Sequence, residues 1–272
     1  MKADDAEYHR RLHSSMKAVD PDAIFRQRTA LFPKIRNMVG DGIETGRILD
    51  VAAGNGYASI YWAKRLPGVT VIAVEDSEVA ALEVIPHFAA AHKVEGQVNA
   101  LRASFDDLPE MEPFDLVLCF GALHHSPSLD KTFRSLVSAL KPSGLLVAHE
   151  PVMPDKTTNR QYVDKYESVE MKEGVQVANY LRDDHFYRRS EYVVAAAHAG
   201  LDLRSFTRLS NERLWLKRFA QERQWRRWVK GHVKRAVKTA DRTRHTPDYL
   251  RGLHSGLFVW SLSNVPWVPH AS

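Results

Sequence analysis

Two carboxylates and two glycines in the first third of the chain have the types and the spacing of a small-molecule site. Asp50 ends an apolar run, and Gly54 and Gly56 follow it closely. Glu75 ends the next apolar run, about 20 residues further on, where nucleotide-binding folds contact a ribose. Glycine lets a ligand lie against bare backbone, and a carboxylate accepts hydrogen bonds from ribose hydroxyls. The spacing therefore predicts a site for a ligand that contains a nucleoside.

The position of Asp50 narrows the choice of ligand. A dinucleotide site uses Gly-x-Gly-x-x-Gly to seat a pyrophosphate on a helix N-terminus, but Ser59 occupies the third glycine position. A carboxylate just before the turn repels a pyrophosphate and attracts an ammonium group. We therefore expect a ligand with an amino-acid end, a ribose and an adenine. Its ammonium would lie near Asp50, its carboxylate on the amides of the turn, and its ribose hydroxyls on Glu75.

His124 and His125 are the candidates for catalysis. They follow an apolar run at 114–120, at the sheet edge where open α/β folds bind ligands. A histidine can take a proton from a hydroxyl or an amine, or it can pack under the ligand and orient the loop. Because neighbouring side chains on extended backbone point apart, we predict no metal site here. Glu150, which ends the following apolar run, either binds substrate or caps a turn.

An alternation of strands and helices must position these residues. Apolar runs and helical periodicity predict the following order, in which Ser77 and Ser128 are helix N-caps and Pro142 and Gly144 are stop signals. The strands are 47–51, 69–74, 97–102, 114–120, 144–149, 201–207 and 257–262, and the helices are 57–66, 77–92, 128–140 and 190–200. Near-continuous apolar strands that alternate with helices are typical of a buried, doubly wound parallel sheet. The predicted fold class is therefore α/β.

Five segments in this order resemble the motifs of class I S-adenosylmethionine-dependent methyltransferases. They are DVAAGNG at 50–56, VEDS at 74–77, SFDDLP at 104–109, FDLVLCFGALHH at 114–125 and LKPSGLLV at 140–147. The resemblance is continuous from about residue 47 to residue 150. It implies a Rossmann-like methyltransferase fold with a mostly parallel seven-stranded sheet, and S-adenosyl-L-methionine as the cofactor.

The same resemblance implies which residues contact the cofactor. They are Asp50, Ala52, Ala53, Gly54 and Gly56 at the methionine end, Glu75 and Asp76 at the ribose, Ser104 and Phe105 at the adenine, and Phe120 and Gly121 at the end of the fourth strand. Ala52 stands where the family usually has its first glycine, and Ser104 where it often has an aspartate. At a negative φ, alanine causes little backbone strain, but its methyl group narrows the access of the ligand to the backbone. The Ser104 hydroxyl can still form a hydrogen bond with the adenine.

Three regions flank the predicted cofactor-binding half at 47–150. Residues 1–46 are a predicted N-terminal helical cap, in which Tyr8 is a candidate substrate contact, and 151–189 are a substrate-side insert or lid. Residues 190–272 complete the core and include a basic helical insert at 211–250. Thirteen Lys or Arg and four Asp or Glu lie between residues 211 and 251, whereas the whole chain carries a net charge of +5. The pattern at 211–243 is that of a basic amphipathic helix.

This helix would pack on the domain with its charged face in water. Alternatively, it would bind an anionic membrane surface, a nucleic acid or an anionic substrate. The chain has 272 residues, of which 44% are hydrophobic, enough for a sizeable core. No run reaches the roughly 18 apolar residues that span a membrane. The polar N-terminus and the single Cys119 favour a reducing, cytoplasmic location.

The resemblance implies methyl transfer to an oxygen or nitrogen atom of a small molecule. That substrate would be a natural product, or a glycan or lipid intermediate. No Asn-Pro-Pro-Tyr-like signature follows the fourth strand, which disfavours amino groups of nucleic-acid bases. The alternatives are an RNA methyltransferase that uses the basic insert and a non-catalytic protein that keeps only the cofactor fold. The sequence leaves the oligomeric state open.

Overall fold

The computed structural model describes residues 43–153, 187–209 and 254–263, together with Ile35, Asp155 and His185. Most of the N-terminal cap predicted for 1–46, including Tyr8, lies outside the described residues. The same holds for most of the insert predicted at 151–189 and for the basic insert at 211–250. The boundaries of these regions therefore stay predictions.

Within the described residues, seven strands form one sheet. The strands are β1 Arg47–Val51, β2 Thr70–Glu75, β3 Val98–Arg102, β4 Phe114–Phe120, β5 Leu140–Val152, β6 Leu201–Leu209 and β7 His254–Leu262. Their order in the sheet is β3-β2-β1-β4-β5-β7-β6, and β7 runs antiparallel to both of its neighbours. This arrangement confirms the predicted doubly wound, mostly parallel α/β fold.

Helices connect the strands on both faces of the sheet. They are α1 Tyr57–Arg65, α2 Ile85–Ala91, which continues a π-helical segment Ala80–Val84, α3 Leu129–Ser138 and α4 Arg189–His198. The Ser128 hydroxyl accepts a hydrogen bond from the Lys131 amide at 3.4 Å, and the Ser77 hydroxyl accepts one from the Ala80 amide at 3.4 Å. Both serines therefore act as the predicted N-caps.

The fifth strand begins earlier than predicted. Its pairing with β4 passes from Phe114–Leu140 directly to Leu116–Leu145, so residues 141–144 bulge out of the ladder. The predicted stop residues Pro142 and Gly144 lie in this bulge. Proline has no amide hydrogen for the ladder, so the sequence signal marks a bulge rather than the gap between a helix and a strand.

The sheet is buried on both faces, and this fixes the strand ends. Ile48 and Leu116 face a cluster that includes Trp62 of α1, which we call the α1-side core, while Leu49 and Val117 face a cluster that includes Phe133 of α3, the α3-side core. Because β1 lies between β2 and β4, the strand order reverses at β1. Ligands of open α/β sheets bind at such a switch point, outside the carboxyl ends of the strands.

Candidate active site

The turn after β1 adopts backbone conformations that favour glycine. Ala52, Gly54 and Gly56 have φ angles of 49°, 57° and 74°. The Gly56 amide donates to the Ala53 carbonyl at 2.8 Å, and the Ala53 amide donates to the Val74 carbonyl of β2 at 3.0 Å. A Cβ atom added to Gly54 would meet no described atom within 4 Å. The backbone at Gly54 therefore borders open space at the carboxyl edge of the sheet.

Ala52 carries the strain of this turn. For an L-residue other than glycine, a left-handed φ costs about 1 kcal/mol, because Cβ approaches the following carbonyl oxygen. The expectation that alanine costs little applied to a negative φ, and the observed angle of 49° is positive. The methyl group of Ala52 packs against the α3-side core, which compensates part of the strain.

Asp50 joins the end of β1 to the first turn of α1. Its Oδ2 accepts hydrogen bonds from the Ser59 amide at 3.0 Å and the Ser59 hydroxyl at 2.6 Å, and the residue is only 2% exposed. Burial raises the pKa of Asp50 to about 6, although the bonds from Ser59 oppose the change. The sequence pattern marks Ser59 only as the position of a missing glycine and does not reveal this contact. The contact of Asp50 with a ligand ammonium stays a prediction.

Glu75 connects the end of β2 to the glycine turn. Its Oε2 accepts from the Gly54 amide at 2.8 Å, and its Oε1 accepts from the Ser77 amide at 3.1 Å. Burial raises the pKa of Glu75 to about 7, and the neighbouring Asp76 also raises it. Asp76 itself is exposed. The two candidate ligand contacts, the turn and the strand-end carboxylate, are thus one hydrogen-bonded unit.

The segment after β3 is fixed by a hydrogen-bond network that no local sequence pattern predicts. The Ser104 hydroxyl accepts from the Asp106 amide at 3.2 Å, and Phe105 packs against the α3-side core. The Asp106 carboxylate accepts a hydrogen bond from the Thr132 hydroxyl of α3. The Thr132 hydroxyl also lies 2.6 Å from that of Ser126. These bonds tie the candidate adenine segment to the loop after β4.

His124 and Glu150 form a hydrogen-bonded pair at the ends of β4 and β5. The Nδ1 atom of His124 lies 2.8 Å from Oε2 of Glu150, which is fully buried. The other oxygen of Glu150, Oε1, accepts from the Ala122 amide at 2.9 Å and the Leu123 amide at 3.0 Å. Of the two predicted roles of Glu150, the structure shows the turn cap. In a neutral imidazole, this bond places the proton on Nδ1 and makes Nε2 the acceptor nitrogen.

The expectation that the two histidine side chains point apart is wrong. Leu123–His125 form a 3₁₀ turn rather than extended backbone, and the ring centroids of His124 and His125 lie 4.0 Å apart. His125 is the more exposed of the two. In the part of the chain that the structure describes, no group of three side chains could hold a metal ion. No helix there is long and apolar enough to cross a membrane.

Phe120, Gly121 and His149 complete the edge between β4 and β5. Phe120 pairs with His149, and the Gly121 amide donates to the His149 carbonyl at 2.8 Å. Gly121 has a φ of 68° and turns the chain away from the strand. His149 was not among the candidate residues. Its position next to Glu150 at the end of an apolar run was the signal that could have identified it.

Comparisons with known proteins place this chain in a family. Residues 44–212 match the family described as a methyltransferase domain, and the chain belongs to that family. This confirms the predicted membership of the class I methyltransferases. A ubiquinone/menaquinone biosynthesis C-methyltransferase of Idiomarina loihiensis is 28% identical over 141 residues, which are 51% of this chain and 56% of the relative. A sterol 24-C-methyltransferase of Candida albicans is 26% identical over 161 residues, or 56% of this chain and 40% of the relative.

The chain thus spans about half the length of the curated relatives that it matches. Among solved structures, the geranyl diphosphate C-methyltransferase of Streptomyces coelicolor A3(2) shares the fold with a TM-score of 0.63 and 15% identity. The similarity covers 86% of this chain and 80% of that one. That protein was crystallised with Mg²⁺, geranyl diphosphate and S-adenosyl-L-homocysteine.

The strain at residue 52 predicts a stabilising substitution. The substitution Ala52→Gly should raise the free energy of unfolding by up to about 1 kcal/mol, because glycine adopts the left-handed φ without strain. Urea denaturation measures the change. Ala53→Gly is the matched control, since Ala53 does not have a positive φ. This variant should lose about 0.4–1 kcal/mol of the free energy of unfolding. Equal destabilisation by both substitutions would contradict the interpretation.

The raised pKa of Glu75 predicts how stability depends on pH. Its pKa rises from 4.5 to about 7 on folding, so the folded state binds more protons than the unfolded state between these values. The contribution of Glu75 therefore falls by about 3 kcal/mol as the pH rises through this window. Denaturation from pH 5 to pH 8 should show a smaller loss of stability in Glu75→Gln than in Glu78→Gln, a control at an exposed glutamate. Identical pH dependence of stability in the two variants would contradict a raised pKa of Glu75.

Proposed function

We propose that this protein transfers a methyl group from S-adenosyl-L-methionine to an oxygen or nitrogen atom of a small molecule. The observation that carries the proposal is the hydrogen bond between Glu75 and the Gly54 amide, because it holds a ribose-binding carboxylate against the turn that would receive the amino-acid end. Membership of the methyltransferase domain family and the S-adenosyl-L-homocysteine in a structural neighbour support the same cofactor.

The order of the strands supports a division of the site into a cofactor side and an acceptor side. Most candidate cofactor residues lie at the carboxyl ends of the first three strands: Gly54 follows β1, Glu75 ends β2, and Ser104 and Phe105 follow β3. The candidates Phe120 and Gly121 lie at the end of β4, where the two sides would meet. The ends of β4 and β5 lie on the other side of β1. An acceptor in line with the methyl group would therefore lie next to His124.

The residues at the acceptor side have a definite chemical task. When bound, the cofactor supplies an electrophilic methyl group on a sulfonium ion. A hydroxyl acceptor that gains the methyl group must lose its proton, and Nε2 of His124 takes that proton in this proposal. Glu150 is a positioning residue, because it orients the ring through Nδ1 and stabilises the imidazolium that forms. An amine acceptor that is already neutral would not need this base.

The names of the relatives favour a lipid-like acceptor among the small molecules. Two curated relatives are named for ubiquinone/menaquinone biosynthesis and for sterols, and the structural neighbour for geranyl diphosphate. All three are named C-methyltransferases, so a carbon acceptor is the outcome that would most directly replace an oxygen or nitrogen acceptor. Incubation of the protein with trideuteromethyl-labelled cofactor and a lipid extract, followed by mass spectrometry, distinguishes these acceptors.

Cofactor binding is the first test of the proposal. Calorimetry should detect S-adenosyl-L-homocysteine binding to the wild type, with higher affinity at pH 8 than at pH 6, because the ribose hydroxyls donate to the ionised Glu75. Glu75→Gln should weaken binding by about tenfold or more, since it loses a charged acceptor. Glu78→Gln, whose side chain is exposed, should bind like the wild type. Folded wild-type protein that gives no heat at either pH would end the proposal.

The second test concerns the base. His124→Gln should lower the rate of methyl transfer by about 10²-fold or more, with cofactor affinity unchanged. It should also abolish the loss of rate that protonation of the base causes at low pH. Glu150→Gln should shift this pH profile, and Glu150→Asp should restore part of the wild-type behaviour. His125→Gln is the control. It should keep most of the wild-type rate, because the bond from Glu150 orients His124 as the base. A His124→Gln variant with full activity would favour an acceptor that needs no base.

A further inference from the structure

The side chain of His149 contains a buried polar atom that the fold itself does not use. Among the described residues, four buried side-chain nitrogens have no hydrogen-bond partner: Arg47 Nε, Trp62 Nε1, His149 Nε2 and Trp260 Nε1. Arg47 begins β1, at the opposite edge of the sheet, and the two tryptophans lie inside the core. Of these four residues, His149 is the one at the carboxyl edge, beside the candidate active site. An unpaired buried nitrogen is costly unless something else binds it.

The register of the strands fixes the face on which this ring lies. Side chains alternate along β5, so His149 shares a face with Val147, which belongs to the α1-side core. Phe120 and Ala53 pack against the same cluster. Glu150 points to the opposite face, where it holds His124. The two histidines therefore approach the end of β4 and β5 from opposite faces of the sheet.

The backbone holds the ring in place. The His149 carbonyl accepts from the Gly121 amide at 2.8 Å, and the residue pairs with Phe120 on one side and Leu257 on the other. Burial lowers the pKa of His149, and the nearby Glu150 only partly opposes this effect. The imidazole therefore stays neutral near pH 7 and brings no positive charge toward a sulfonium ion. A neutral ring can donate or accept one hydrogen bond at Nε2.

We propose that Nε2 of His149 hydrogen-bonds a hydroxyl group of the acceptor substrate and so fixes its position at the carboxyl ends of β4 and β5. This inference rests on the proposed function and deepens it, since it assigns a specificity-determining contact and favours a hydroxyl-bearing acceptor. His124 would serve the proton transfer, whereas His149 would serve binding. Substitution of His149 should therefore act mainly on KM, and substitution of His124 mainly on kcat.

Three variants separate this role from simple packing. A glutamine amide reaches the position of Nε2, an asparagine amide reaches only that of Nδ1, and phenylalanine keeps the ring without a nitrogen. His149→Phe should raise Tm by about 2–4 °C, because it removes an unpaired buried polar atom. A purely structural histidine would instead lower Tm when it is replaced.

The measurement is methyl transfer from trideuteromethyl-labelled S-adenosyl-L-methionine into a lipid extract, after calorimetry with S-adenosyl-L-homocysteine. All three variants should bind S-adenosyl-L-homocysteine within about twofold of the wild type. At limiting extract, His149→Phe and His149→Asn should transfer about tenfold less label, and His149→Gln should stay within about threefold. These losses should shrink as the extract concentration is raised, because KM is the parameter affected.

Each remaining outcome has a distinct meaning. Full transfer by His149→Phe, equal loss in the glutamine and phenylalanine variants, or a lower Tm of His149→Phe would each overturn the contact at Nε2 while leaving the proposed function intact. A wild type that binds no S-adenosyl-L-homocysteine would overturn the proposed function, and this inference with it. Loss of S-adenosyl-L-homocysteine binding in the variants alone would assign His149 to the cofactor and overturn the acceptor contact.

Discussion

The geometry of this site depends on the hydrogen bonds that the buried side chain of Glu75 accepts from backbone amides. One oxygen accepts a hydrogen bond from the Gly54 amide and the other accepts one from the Ser77 amide. The same side chain therefore fixes both the turn after β1 and the start of the next helical segment. The cost is a carboxyl group with a pKa raised to about 7 in a protein that would gain stability from its protonation. A ligand that donates to the ionised form compensates this cost.

Three carboxyl side chains near the carboxyl ends of the strands accept hydrogen bonds from backbone amides in the same way. Asp50 accepts from the Ser59 amide, Glu75 from those of Gly54 and Ser77, and Glu150 from those of Ala122 and Leu123. Each accepts hydrogen bonds from backbone amides beyond the ladder, in the first turn of α1, in the turn after β1, after β2 or in the loop after β4. Where Asp50 and Glu75 are ionised, they put negative charge at the switch point, as the proposed ligand with its ammonium group requires.

The two faces of the sheet divide the proposed chemistry at β5. Glu150 and His124 belong to one face, and His149 to the other, because neighbouring residues of a strand point in opposite directions. The bulge at residues 141–144 precedes this part of β5 and sets the register in which His149 lies opposite Phe120. A change of one residue in the register of β5 would exchange the faces of Glu150, which orients the base, and of His149, the proposed binding contact.

The sequence by itself determined the elements, the fold class and the family. Hydrophobic patterns and N-caps depend on neighbours within a few residues, so the strands at 47–51 and 114–120 and the caps at Ser77 and Ser128 could be read directly. Tertiary structure alone decided the positive φ of Ala52, the link from Asp106 to Thr132, the pairing of His124 with Glu150 and the unpaired nitrogen of His149. These features join residues about 26 positions apart or depend on the exact path of a turn. Only the strand order and the register bring such residues together, and no local pattern encodes those distances.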